Sequence, residues 1–156
     1  MKQYTKFNNI SGWAVFAIAA WVFLSTIEMT GSFWDCGEFI AAAYKLQIGH
    51  PPGSALWLML SRIMTLFAGG NEASIPIMVN AFSAIMSAFA VLFTFWTITA
   101  IARKVVFTKN QEPTFSQILT VIASGVVGAL AFTFTDSFWF SAVEGEVYAT
   151  SQFFTC

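Results

Sequence analysis

Gly53-Ser54-Ala55-Leu56-Trp57-Leu58-Met59-Leu60-Ser61-Arg62-Ile63-Met64-Thr65-Leu66-Phe67-Ala68 is the stretch on which the fold turns. As a helix from Ser54 to Phe67 it would be about 21 Å long at ~1.5 Å per residue. A membrane core is ~30 Å thick, and this stretch also carries Arg62. Pro51-Pro52 give it a start and Gly69-Gly70 a stop. Ser54, Ser61, Arg62 and Thr65 fall on one narrow stripe, while Leu56, Trp57, Met59, Leu60, Ile63, Met64 and Phe67 cover the rest. That pattern suits a helix lying in the membrane interface, or packed on spanning helices, better than one that crosses.

The surrounding chain supplies the membrane. Of 156 residues 57% are hydrophobic and only 10% charged, with a mean hydropathy of +0.70, against roughly 25% charged residues in soluble domains. The 18 Phe and 6 Trp fit a bilayer protein, since aromatic side chains anchor at its interfaces. A net charge of −1 gives no footing for nucleic acid, and two cysteines are too few for a disulfide framework. Lys2 and Lys6 precede a charge-free run, Phe7 to Ile27, that exceeds the usual core of a cleaved leader and lacks a small-residue cleavage site. An uncleaved anchor is expected. Spans are expected at about 10–28, 76–102 and 115–135, with a fourth starting near 146. The pattern from Glu146 to Cys156 runs on without cap, charge or breaker. Residues 1–156 therefore read as the N-terminal part of one longer, all-α, polytopic membrane domain.

Topology links that frame to the charges. Lys2 and Lys6 place the N-terminus in the cytoplasm by the positive-inside bias. If Gly53–Ala68 crossed the membrane, Arg103, Lys104 and Lys109 would lie outside, against the same bias. If it does not cross, those three are cytoplasmic and Asp136, Glu144 and Glu146 reach the same outer face as Asp35 and Glu38. The outer loop then runs from about residue 28 to 74 and holds two short helices, near 33–48 and 53–68.

Ser32-Phe33-Trp34-Asp35-Cys36-Gly37-Glu38-Phe39 gathers Asp35 and Glu38, with Lys45 and the sole histidine, His50, close behind. Ser32 to Asp35 has the form of a capping box, which would make Asp35 a structural acid. The functional reading is that Asp35, Glu38 and Lys45 share a helix face at i, i+3 and i+10 over the small Ala41 and Ala42. Partial desolvation at a membrane boundary makes a carboxylate more basic, which suits a general base acting on a hydroxyl. His50, in a rigid His50-Pro51-Pro52-Gly53 turn, is either solvated or a ligand contact. Lys45 and Arg62 are either phosphate-binding cations or lipid-facing snorkels. Cys36 reads as a packing residue. In the second cluster, Ser137, Ser141, Glu144 and Tyr148 would share a face of a continuous helix, Glu146 would point elsewhere, and Asp136 would serve as the cap.

The motifs Phe33-Trp34-Asp35-Cys36-Gly37-Glu38-Phe39, Lys45-Leu46, Gly49-His50-Pro51-Pro52-Gly53 and Trp139-Phe140-Ser141-Ala142-Val143-Glu144-Gly145-Glu146-Val147-Tyr148 resemble the bacterial protein O-mannosyltransferase-like membrane family. That family is grouped with the GT-C glycosyltransferases and was formerly a domain of unknown function. The resemblance implies a GT-C-like helical bundle with two juxtamembrane helices in the first extracytoplasmic loop, sited in a bacterial inner membrane. It also implies sugar transfer from a polyprenyl-phosphate donor to a protein or glycan acceptor, usually with inversion, with an acid of that loop acting as base or orienting the acceptor. Asp35 matches the leading acid by position. The spacing to Glu38 departs from the common Asp-Glu or Asp-x-Asp, so the base is Asp35 or Glu38. Some members of the class use a divalent metal and others do not.

These expectations make Asp35 and Glu38 the catalytic candidates, and Lys45, His50, Arg62, Glu144, Glu146 and Tyr148 the substrate-binding ones. The rivals are a transporter or channel, which would set acids near the middle of spans, and a non-catalytic membrane assembly subunit that kept the fold.

Overall fold

Helix α4, Ile75–Val106, is the post on which the rest leans. The computed structural model describes residues 1–50, 54–108 and 111–155; Pro51, Pro52, Gly53, Lys109, Asn110 and Cys156 lie outside them. In chain order the described residues form α1 (Lys2–Ser25), α2 (Cys36–Lys45), α3 (Ala55–Thr65), α4, α5 (Phe115–Thr133), α6 (Asp136–Val143) and α7 (Val147–Thr155). Single 3₁₀ turns cover Leu66–Ala68 and Glu72–Ser74. No strand occurs among the described residues. The protein is an all-α membrane-type bundle.

Among the described residues three helices are long and apolar enough to cross a membrane: α1, the stretch Glu72–Val106 containing α4, and α5. With 32 residues, α4 reaches about 48 Å at ~1.5 Å per residue, well beyond a ~30 Å core. Pro76 sits in its first turn, where a missing N–H costs nothing, and Arg103 and Lys104 meet the negative end of its dipole. Helix α1 starts at Lys2, ahead of the charge-free run, because Lys2 and Lys6 are good helix formers and nothing there breaks the chain. Helix α5 opens on a capping box: Thr114 Oγ1 accepts from the Gln117 N–H, and Gln117 Oε1 accepts from the Thr114 N–H at 2.9 Å.

The main core joins α1, α4, α5 and α6 through Val15, Ala19, Phe23, Ala84, Ala88, Val91, Phe95, Ala129 and Phe138. Small residues let the backbones close in, as is usual where lipid removes the hydrophobic drive between helices. A methyl group at Gly125 would lie 2.5 Å from Thr99 Cγ2 and 2.9 Å from the Phe95 ring. Trp13, Trp21, Leu119 and Val127 point outward from α1 and α5, where only lipid would suit them.

A second core binds α2 and α3 to the start of α4: Phe39, Ile40, Ala43, Trp57 and Leu58 close on Ile75, Val79 and Phe82. Trp57 stands between Phe39 and Phe82, with ring centroids 5.5 and 6.4 Å away. The polar stripe of α3 faces inward: Ser61 and Thr65 are buried, while Leu56, Met59 and Ile63 are exposed. This reverses the pattern of a soluble surface helix and matches one whose outer side meets lipid. Helix α3, at 11 residues, stays beside the first turns of α4.

The two ends of the bundle differ. At one end the Met1 amino group pairs with Glu112 and the Tyr4 ring meets Phe107, with Lys2, Arg103 and Lys104 close by in sequence. At the other, the backbone N–H of Glu28 donates to the Val143 carbonyl at 3.1 Å, tying the exit of α1 to the exit of α6. The residues after α1 and after α6 therefore share one end of the molecule.

An acidic cleft between two loops

The first half of the site is built by interrupted helix geometry. Helix α2 starts at Cys36, so Asp35 stands at its N-cap position, where its side chain makes no capping bond. The capping box expected at Ser32 does not form. Trp34 adopts φ +62°, a left-handed turn unfavourable for a bulky residue, which takes the chain off the helical path before Asp35. Ser32 instead reaches across the fold: its hydroxyl donates to Glu144 Oε1 at 2.5 Å.

At the far end of α2, Leu46 closes the helix in a left-handed conformation (φ 51°) and the Gln47 N–H bonds back to the Ala42 carbonyl at 2.9 Å. The reversal returns His50 to the helix start. Its backbone N–H donates to Glu38 Oε1 at 2.8 Å, its Nδ1 lies 3.2 Å from Glu38 Oε2, and its Nε2 lies 3.8 Å from Asp35 Oδ2. The bonds from the His50 backbone and ring hold the Glu38 carboxyl below its ordinary range. Glu38 is thus engaged, whereas Asp35 is exposed and free of capping duty.

The second half departs from the continuous helix expected from sequence. Helix α6 stops at Val143, Glu144 is extended (φ −120°, ψ 160°), and α7 resumes at Val147. The Glu146 N–H closes a tight turn on the Glu144 carbonyl at 2.8 Å. The break overturns the expectation that Glu146 points away: Glu144, Glu146 and Tyr148 line one cleft together. Thr135 occupies the N-cap of α6, and Asp136 lies in the first turn rather than capping it.

The two halves meet. Trp34, Asp35, Phe140, Ser141, Glu144, Glu146 and Tyr148 line a single cleft of about 280 Å³. Glu144 is buried at its wall, 6% exposed. Burial raises the Glu146 carboxyl above its ordinary range, and the nearby charges of Asp35 and Glu144 push the same way. Three carboxyls, three aromatic rings and a serine hydroxyl thus face this space. Carboxylates accept bonds from neighbouring hydroxyls, and the ring faces offer apolar platforms to C–H groups.

The basic candidates are not brought into this cleft. Lys45 lines a separate cavity with Tyr44, Glu72, Ile75 and Pro76. Arg62 stacks over Tyr44, 5.3 Å from the ring centroid, and donates to Thr65 Oγ1 at 3.1 Å. Only His50 joins the acids. Asp35, Glu38 and His50 each offer one ligand atom within 4.8 Å of the others. Two carboxylate oxygens and one imidazole nitrogen are a donor set that suits a divalent ion such as Mn²⁺ or Mg²⁺.

Two participants escaped the sequence reading. Ser32 was read only as a cap. Asn80, fully buried near the start of α4, is the only amide side chain in the run Ile75–Ala102; a lone amide in an otherwise apolar and hydroxyl-bearing run is itself the signal.

Residues 35–156 match the family model described as Protein O-mannosyl-transferase TMEM260 N-terminal domain. The mouse protein named Protein O-mannosyl-transferase TMEM260 is 29% identical over 142 residues, covering 90% of this chain and 17% of the mouse protein. The Dictyostelium discoideum protein of the same name is 24% identical over 120 residues, covering 77% of this chain and 13% of that protein. The chain thus spans less than a fifth of the length of these two curated relatives. No solved structure matches it at a significant level.

Proposed function

The chain belongs to the Protein O-mannosyl-transferase TMEM260 N-terminal domain family, and on that premise we propose that it carries the acceptor-activating half of a membrane glycosyltransferase. The observation that carries the reading is the cleft that joins Asp35 to Glu144 and Glu146 among aromatic walls. The donor is a polyprenyl-phosphate sugar and the acceptor a hydroxyl of a protein or glycan.

Asp35 is the base. Of the two acids left open by sequence, it faces the cleft, while Glu38 is held by His50. In the transfer step Asp35 takes the proton of the acceptor hydroxyl, and the acceptor oxygen forms a bond to the anomeric carbon. The bond from that carbon to the phosphate oxygen breaks, and the polyprenyl phosphate leaves with the electron pair, inverting the centre. Glu144, Glu146 and Tyr148 hold the sugar or acceptor hydroxyls. Repulsion between this acidic cleft and a phosphate is considerable, and a divalent ion held by Asp35, Glu38 and His50 would neutralise the leaving group. His50 and Glu38 orient one another with or without it.

The membrane assignment follows the same logic. Lys2, Lys6, Arg103 and Lys104 sit at the end of the bundle opposite Asp35, Glu144 and Glu146, which supports a cytoplasmic N-terminus and a non-cytoplasmic cleft. With relatives in mouse and Dictyostelium, the proposal concerns this orientation in a multi-pass protein; a bacterial inner membrane is one setting for it. The acids lie beyond the ends of the three long helices, where a transport pathway would not need them. The test is transfer from a polyprenyl-phosphate mannose by the full-length protein. Asp35→Asn should cut kcat at least a hundredfold, in line with loss of a general base, while the protein still folds. Wild-type turnover in that variant removes Asp35 from the role.

A further inference from the structure

We propose that Asn80 is the positioning residue of the site: one side-chain amide on a membrane-spanning helix that sets the distance between the two loops bearing the carboxyls. Its Nδ2 donates to the carbonyls of Glu28 (2.8 Å) and Thr30 (3.2 Å), on the segment that leads to Asp35. Its Oδ1 accepts from Cys36 Sγ at 3.9 Å, at the first residue of α2. The same Oδ1 touches the other loop, since a methyl group at Gly145 would lie 3.0 Å from it. Gly145 is the residue between Glu144 and Glu146. One turn along α4, the Ser83 hydroxyl donates to the Glu146 carbonyl at 3.4 Å.

A buried amide in a spanning helix ordinarily joins it to another spanning helix. Asn80 does not. Its hydrogen-bond partners are the Glu28 and Thr30 carbonyls of one irregular segment and the Cys36 thiol, and its oxygen lies against Gly145 of a second; those segments carry Asp35 on one side and Glu144 with Glu146 on the other. Every hydrogen-bonding atom of the amide is used, and the side chain is fully buried, so its geometry is fixed by both loops at once. Removing it strands the Glu28 and Thr30 carbonyls, which must then move to find other donors. A bulkier residue at Gly145 pushes the second loop off the same amide. Asn80 and Gly145 therefore act on one quantity, the width of the cleft, from opposite sides. The clamp itself stands on geometry alone; its consequence for transfer rests on the function proposed above.

The experiment is thiol cross-linking in the full-length protein with a short bifunctional methanethiosulfonate linker. Ser32→Cys with Glu144→Cys replaces two side chains that touch through the long Glu144 arm, so a linker that makes up the lost length should close the bridge quickly. Adding Asn80→Ala, or in a separate protein Gly145→Ala, should slow closure at least tenfold. A control pair at the opposite end, Tyr4→Cys with Phe107→Cys, where the rings lie 5.1 Å apart, should close at the same rate with or without either change. An unchanged rate at the 32/144 pair in both backgrounds overturns the proposal. An equal slowing of both pairs also overturns it, since that reports general loosening. In proteins with native Ser32 and Glu144, Gly145→Ala should lower kcat for transfer at least tenfold with KM nearly unchanged. If the wild type transfers no sugar while cross-linking behaves as stated, the glycosyltransferase reading falls and the clamp stands.

Discussion

Replacing Ser32 by alanine removes the hydroxyl that donates to Glu144 Oε1 at 2.5 Å. The Glu144 carboxyl is 6% exposed, and Ser32 is its one side-chain partner among the described hydrogen bonds. A hydrogen bond to a charged group contributes about 1.5–3 kcal/mol, and leaving a buried partner unsatisfied moves the cost to the upper part of that range. About 2 kcal/mol is a fair expectation for Ser32→Ala. For a protein of 150–250 residues each 1 kcal/mol shifts the midpoint by about 2–4 °C, and in a longer chain by less, so Tm should fall by up to about 4–8 °C. The assay is thermal unfolding in detergent of wild type, Ser32→Ala, Glu144→Met and the double variant. Removing both partners leaves nothing unpaired, so the double variant should be no less stable than Ser32→Ala alone. A Tm unchanged in Ser32→Ala, or losses that simply add in the double variant, would refute the claim that this bond ties the two loops together.

Two further outcomes follow from the same geometry. The raised Glu146 carboxyl favours its protonated form in the fold, so the stability it contributes is full below its ordinary value of 4.5 and is lost as pH rises through the raised value. Glu146→Gln should therefore melt higher than wild type at pH 7, with the gap closing as pH falls towards 4; a gap that widens on acidification contradicts the assigned shift. Gly125→Ala places a methyl group 2.5 Å from Thr99 Cγ2 and should cost about 1–3 kcal/mol by overpacking α4 on α5. Thr99→Ser removes that nearest atom and should restore part of the loss.

Much of the fold was legible because lipid imposes a simple demand. Charge-free runs long enough to cross mark α1, α4 and α5, and the short, Arg62-bearing stretch reads as the helix α3 that packs beside α4. Boundaries were less legible: Lys2 and Lys6 suggested a flank, yet they continue the helix. The site was legible in composition but not in geometry. Ser32-x-x-Asp35 has the same sequence form whether the hydroxyl caps its own helix or crosses to Glu144, and the turn at Trp34 that decides it has no glycine to announce it. Gly145 did announce the break after Val143, but face arithmetic on a continuous helix turned Glu146 the wrong way. Leu46 in a left-handed conformation, which brings His50 back to Glu38, left no mark in the sequence at all.

The central claim is that Asp35 and Glu146, more than a hundred residues apart in the chain, face one cleft on one side of the membrane. Impermeant maleimide labelling of the intact membrane tests it directly, with Asp35→Cys, Glu146→Cys and Lys104→Cys each introduced into a protein whose native cysteines, Cys36 and Cys156 among them, are replaced by alanine. Positions 35 and 146 should label from the same side and position 104 only from the other. Labelling of 35 and 146 from opposite sides would contradict the account.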